Sequence, residues 1–282
     1  MIAALVRTLR FVRFSHTVFA MPFALGSMLV AARGLPELRT VGLIVLAMVF
    51  ARTAAMTFNR LADWEIDQRN PRTADRHRLI SRSGAAFLLV GSAALFIATT
   101  RLINPLCFWL SPVALAIVWF YSVTKRFTSL SHLFLGLALS VSPVGAWLAV
   151  RGHFDWPPLI LALAVLLWVA GFDVIYATLD HEFDRGAGLH SWVVRVGVPQ
   201  ALVWAQRLHW AMLAVLAVFG WSAKLGGAFW ASLAVVLGAL LYEHASASRL
   251  EVRAINRAFF TANAVVGGAF VAGILCDQVL AR

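Results

Sequence analysis

Apolar runs long enough to cross a hydrocarbon core recur from one end of the chain to the other, separated by short polar stretches. They fall at about 14–32, 40–62, 84–100, 103–122, 130–150, 157–179, 199–219, 226–243 and 256–279. The pattern predicts an all-α integral membrane protein, a bundle of nine transmembrane helices forming one membrane-embedded domain over residues 1–282. No run of polar residues is long enough to suggest a separate soluble domain or a linker. The first run has Arg13 and His16 at its start and is followed by further spans, which is not the pattern of a cleaved signal peptide.

Composition agrees with the membrane reading: 61% of the 282 residues are hydrophobic and 13% charged, against roughly a quarter charged in soluble domains. The net charge of +11 would suggest nucleic acid in a soluble chain. Here the basic residues sit between spans, so the lipid bilayer is the expected partner and nucleic acid is not. Lys and Arg divide 16 to 6 between the two alternating sets of loops, counting Arg60 and Arg257 at span ends with the loops beside them, with Arg52 and Arg207 deeper inside spans. That bias places the N-terminus in the cytoplasm and the C-terminus outside, in a plasma membrane of bacterial type. Cys107 and Cys276 lie in apolar runs, form no motif and read as inert buried thiols.

The acids are not scattered. Of 13, four fall in 63–75 and four in 173–184, each group following an even-numbered span and so facing the cytoplasm. Asn59, Asp63 and Asp67 are spaced by four, as are Tyr176, Asp180 and Asp184, with Asp173 earlier in the same stretch. On a helix such a row shares one face over about 12 Å. Carboxylates stacked on one face repel unless a positive group sits among them. Hard oxygen ligands suit Mg²⁺, which takes a few carboxylates together with water and substrate phosphate oxygens. No His/Cys cluster has zinc spacing. Solvated helix ends paired with nearby arginines explain one row easily, but two rows on one side less so.

Basic residues stand beside the acids. Arg69, Arg72, Arg76 and Arg78 follow the first row, and the fourth span ends in Lys125 and Arg126. The positive-inside bias alone would supply many of them. Taken with the acids, they read as a diphosphate site at the membrane surface.

At these residues the chain resembles the UbiA superfamily of intramembrane aromatic prenyltransferases, especially its 4-hydroxybenzoate polyprenyltransferase-like bacterial branch. The family's N-x-x-x-D-x-x-x-D followed by R-T-x-x-R appears as NRLADWEIDQRNPRTADR, and its D-x-x-Y-x-x-x-D-x-x-x-D as DVIYATLDHEFD. Its Y-x-x-x-K-R-x-T element appears as YSVTKRFT, and RFSHTVFAMPFAL and GLHSWVVRVG are also similar. The likeness covers about residues 10 to 200. After R-T-x-x-R this chain has HRLISR where the family commonly has a proline-containing run.

The resemblance implies a nine-helix bundle with a central cavity and Mg²⁺-dependent transfer of a polyprenyl chain from a polyprenyl diphosphate to an aromatic acid. It implies Asn59, Asp63, Asp67, Asp180 and Asp184 as metal ligands, and Arg72, Arg76, Lys125 and Arg126 as diphosphate ligands. Tyr176 would stabilise the allylic cation through its ring, and Asp173 would orient it or take up a proton. Arg13 would bind the carboxylate of the acceptor, with an interfacial anchor as its competing role. The acceptor is expected to be 4-hydroxybenzoate, in quinone biosynthesis, with a dihydroxynaphthoate as the alternative. A cation-coupled transporter would also use intramembrane acids, but it leaves R-T-x-x-R and Lys125-Arg126 unexplained. A CDP-alcohol phosphotransferase would need a D-G-x-x-A-R element, which is absent.

Overall fold

Long apolar stretches with polar caps become helices because only a helix satisfies its own backbone in hydrocarbon. The computed structural model describes the backbone of residues 2–13, 17–71 and 73–280, and the side chains of 6–13, 19–71 and 73–279. The chain runs through α1 (Ile2–Phe11), α2 (Thr17–Ala32), α3 (Leu38–Ala62), α4 (Trp64–Arg69), α5 (Arg82–Ile103), α6 (Pro105–Thr124) and α7 (Ser131–Arg151). It continues through α8 (Trp156–Ala177), α9 (His181–Gly186), α10 (Trp192–Val196), α11 (Val198–Ser222), α12 (Gly227–Ala247) and α13 (Val252–Leu275). Among the described residues, eight helical segments are long and apolar enough to span a membrane, and Phe19–Ala32 forms a shorter apolar helix at the place of the first expected span. Each expected span therefore has its helix. The sequence pattern did not resolve α1, a short amphipathic helix ahead of the first span.

Local chemistry sets the helix ends. Ser81 caps α5 by accepting from the Gly84 N–H. Asn104 caps α6 by accepting from the Cys107 N–H, while its amide donates to the Leu148 carbonyl at the end of α7. Asp277 reaches back from the chain's last turns to accept from the Ala228 and Phe229 N–H groups at the start of α12, where a helix N-terminus favours an anion.

α8 lies in the middle of the bundle, packed on α7 and α11, and α13 packs on α12 and α2. Trp168, Leu161 and Val165 of α8 are fully buried with Phe23, Phe219, Phe229 and Phe270 in one continuous core. The outer faces are apolar instead: Phe87 is 82%, Trp156 78%, Trp221 78% and Trp109 74% exposed. Such surface is stable against lipid, and the three tryptophans sit near helix ends on one side of the bundle, as in an interfacial belt.

Candidate active site

The two acidic rows do not lie on straight helices, as their spacing predicts. Each is folded over a kink. α3 ends at Ala62, Asp63 takes φ −95° and ψ 16°, and α4 starts at Trp64. The Asp63 N–H donates to the Asn59 carbonyl and the Asp67 N–H to the Asp63 carbonyl, so four-residue bonding carries through the bend. In the second row α8 gives way to a 3-10 turn, Thr178–Asp180, before α9. Asp173 and Tyr176 thus stand on the long helix, Asp180 on the turn and Asp184 on the short helix.

The rows meet at one end of the bundle. Asn70 Nδ2, just beyond α4, donates to Asp180 Oδ1 at 3.4 Å and ties the two segments together. Between them opens a cavity of about 710 Å³. Asn59, Asp63, Asp67, Asp173, Tyr176, Asp180 and Asp184 line it, with Arg13, Arg76, Lys125 and Arg126. Away from this end its wall is mostly apolar, broken by Arg52 and the hydroxyls of Thr100, Ser111, Ser140 and Ser142, and runs past Leu115, Leu135, Ala138 and Ala146 to Leu148 and Phe154, at the other end of α7. Arg72 and His16 lie outside the described residues.

Asp67, Asp63 and Asp184 each face a base. Asp67 meets Arg76 NH1 at 3.0 Å and Arg60 NH1 at 3.3 Å. Asp63 meets Arg126 NH2 at 3.6 Å and accepts from Asn59 Nδ2 at 3.2 Å. Arg126 also donates to the Ala62 carbonyl at the end of α3. Asp184 Oδ2 faces Lys125 Nζ at 3.7 Å. Burial and the neighbouring Asp67 push the Asp63 carboxyl up to about 6, against the opposing pull of Lys125, Arg126 and Arg60. Burial lowers Arg76 to about 10, helped by Arg60 and Arg13. Burial also pulls Lys125 down, but the carboxylates of Asp184, Asp173, Asp180 and Asp63 outweigh it and leave the ammonium above its ordinary value.

This donor set fits a divalent ion shared with a substrate. Asp184 Oδ2 is buried and, among the described residues, has no hydrogen-bond partner. Asp63 carries a proton affinity that a nearby cation would relieve. No three His, Cys, Asp or Glu side chains among the described residues enclose an ion by themselves. The remaining oxygens would have to come from a phosphorylated ligand, as Mg²⁺ prefers.

Four residues of the site were not singled out by the sequence pattern. Arg60, 6% exposed, is held between Asp67 and Asn59 Oδ1. Asn70 bridges the rows. Arg52 lines the cavity two helical turns before Asn59, with its Nε buried and without a hydrogen bond; a charge inside an apolar run was the available signal. His132, at the start of α7, bonds through Nδ1 to Asp173 Oδ2 at 2.6 Å. That partner is 41 residues away, and no local pattern announces it. Tyr176 packs its ring on Phe259, centroids 4.6 Å apart, and both line the cavity.

A membrane-spanning helical bundle with opposed carboxylate rows and flanking bases above a largely apolar shaft suits an enzyme acting on an amphiphile with an anionic head. The chain belongs to the UbiA prenyltransferase family, whose model matches residues 20–265. It is 31% identical over 248 residues, 87% of this chain and 85% of the relative, to the 4-hydroxybenzoate octaprenyltransferase of Yersinia pseudotuberculosis serotype IB (strain PB1/+). Its fold matches the apo structure of a UbiA homolog from Aeropyrum pernix K1 with a TM-score of 0.84 and 33% identity, covering 93% of this chain and 98% of that one. A UbiA homolog from Archaeoglobus fulgidus bound to GPP and Mg²⁺ shares the fold, with a TM-score of 0.74, 22% identity and coverage of 96% and 99%.

Proposed function

We propose that this enzyme moves a polyprenyl chain from an allylic polyprenyl diphosphate to an aromatic acid, 4-hydroxybenzoate before a dihydroxynaphthoate, in quinone biosynthesis. The observation that carries this reading is the junction of two charges and one shaft. Two carboxylate rows and their bases close one end of a cavity whose remaining wall, apart from Arg52 and a few hydroxyls, is apolar down to Phe154. An amphiphile with a polyanionic head and a long hydrocarbon tail fits that division. The Yersinia relative's name supplies the acceptor, and the Archaeoglobus homolog's ligands supply the donor class and the ion.

Asn59, Asp63 and Asp67 on one segment and Asp180 and Asp184 on the other would hold Mg²⁺. Bound there, the ion supplies positive charge to the diphosphate oxygens as the allylic C–O bond opens. Arg72, Arg76, Lys125 and Arg126 neutralise the charge left on the departing group, where new negative charge develops. The rings of Tyr176 and Phe259 face the cavity beside this point, offering π faces to an allylic cation in a site short of water. Arg13 pairs with the acceptor carboxylate. The loop-charge bias sets the acid end in the cytoplasm, with the N-terminus inside and the C-terminus outside. A reporter active only in the cytoplasm, fused after Arg282, is expected to stay silent.

The test of the reaction is product identity. Purified protein is incubated with Mg²⁺, prenyl diphosphates of graded length and a panel of hydroxybenzoates and dihydroxynaphthoates, and the products are identified by mass. A prenylated hydroxybenzoate is expected. Prenylation of the naphthoates alone would move the acceptor assignment, and no prenylated product with any acid would overturn the reading.

A further inference from the structure

Aromatic prenylation needs a proton acceptor as well as a diphosphate clamp. Ring attack forms the new C–C bond while the allylic C–O electron pair leaves with the diphosphate. The ring is then a cation, and it becomes aromatic again only when the C–H at the substituted carbon gives its proton to a base. The base must stand on the hydrocarbon side of the diphosphate, because the reacting carbon lies there. Asp63, Asp67, Asp180 and Asp184 belong to the charged end of the cavity, where the ion and the diphosphate would be held. Asp173 stands two turns before Asp180, roughly 10 Å further into the bundle, on the cavity wall and one turn from Tyr176.

Its partner is unusual in this setting. His132 is 2% exposed and does not line the cavity. The Trp192 backbone N–H points at His132 Nε2, 3.4 Å away. A backbone N–H can only donate, so Nε2 is the acceptor nitrogen and the ring proton sits on Nδ1, 2.6 Å from Asp173 Oδ2. The imidazole N–H fixes one oxygen of the Asp173 carboxylate in place. The start of α10 thus sets the tautomer of His132, and His132 sets the carboxylate.

We propose that His132 is a positioning residue for Asp173, holding its carboxylate against the cavity as the base that removes the ring proton of the prenylated acceptor. The proton goes to Asp173, the C–H electron pair restores the ring, and solvent recovers the proton before the next turnover. This inference rests on the functional reading above.

The test compares His132→Phe, which keeps the ring shape and loses the donor, with His132→Asn, whose amide nitrogen restores a donor near the Nδ1 position. Three quantities are measured on purified protein: prenyl transfer, acceptor-independent release of diphosphate from the prenyl donor with Mg²⁺, and the isotope effect on an acceptor deuterated at the prenylated ring carbon. In His132→Phe, kcat for transfer is expected to fall about ten- to a hundredfold, as for a misplaced base. Diphosphate release and the KM for the prenyl donor should hold. The deuterium effect should grow as proton removal becomes slow, and His132→Asn should recover most of the transfer rate. Parallel loss of transfer and diphosphate release, an unchanged isotope effect, or a His132→Asn variant as poor as His132→Phe would overturn the inference. Failure of the unmutated protein to prenylate any aromatic acid would instead sink the functional reading itself. Normal transfer by the unmutated protein and by His132→Phe alike would remove His132 alone.

Discussion

Two clusters of polar and ionisable side chains lie inside this apolar bundle, and they are built to opposite ends. One is the cavity cluster of acids and bases around α4 and α9. The other joins α8, α11, α12 and α13: His209 Nδ1 meets His244 Nε2 at 2.9 Å, His209 Nε2 meets the Trp168 carbonyl at 3.2 Å, and Asn263 donates to Glu243 Oε1 and the Phe259 carbonyl. His209, Glu243 and Asn263 are all at or below 2% exposure, and none of the four side chains lines the cavity. The helices at this second cluster are in close contact, for a Cβ added at Gly171 would fall 2.4 Å from the His209 ring. Its groups point at one another and at backbone, with Glu243 Oε2 and Asn263 Oδ1 enclosed but accepting no hydrogen bond among the described residues. Those of the first cluster point at a space, with oxygens and cations in excess of what they need from each other. Buried charge alone therefore does not mark chemistry in a membrane; charge aimed into a cavity does.

That contrast can be broken by mutation. The largest effect is expected at the rows: Asp63→Ala, Asp67→Ala, Asp180→Ala and Asp184→Ala should each remove most turnover while detergent-solubilised protein keeps its thermal midpoint. Near-normal turnover in two of the four would show that the rows do not share a site. Lys125→Ala comes next. Losing one charge-assisted contact costs roughly 1.5–3 kcal/mol, or about ten- to a hundredfold in kcat/KM for the prenyl donor, with acceptor affinity held. Arg13→Ala should do the reverse, raising the acceptor KM by about tenfold and sparing the donor; a two-substrate kinetic matrix reads both. Equal damage to both substrates in both variants would refute the division of roles. The smallest effect on turnover belongs to the second cluster. His209→Phe should lower the thermal midpoint, through orphaned partners worth about 1–3 kcal/mol, yet leave kcat at a permissive temperature unchanged. A turnover defect there would erase the distinction drawn between the clusters.

The sequence made some of this plain and hid the rest for physical reasons. Spans follow from local apolarity, so every expected run has its helix, with ends within a few residues. Asn59, Asp63, Asp67, Asp180 and Asp184, which line one cavity, are readable because each row of oxygen-bearing side chains is written at helical spacing within its own segment. The kinks at Asp63 and Thr178–Asp180 were not, since four-residue spacing looks the same on a straight helix and on one that bends while keeping its bonds. Arg60 was hidden by its likeness to a topology-setting arginine at a span end. Asn70 and His132 were hidden because their roles exist only across the fold, toward Asp180 and Asp173. The cluster of His209, His244, Glu243 and Asn263 is spread over three helices and has no signature in any of them.

The apolar shaft has one more implication. The groups that handle charge gather at one end of the cavity, while the walls of the space beyond belong to the long helices. The enzyme can therefore measure a tail separately from how it cleaves the bond. Gly145 lines the shaft, and nothing lies within 4 Å of the Cβ a larger residue would place there. A bulky side chain at that point would act like a stop on a ruler, shortening the longest isoprenoid admitted while leaving the bond-breaking end untouched.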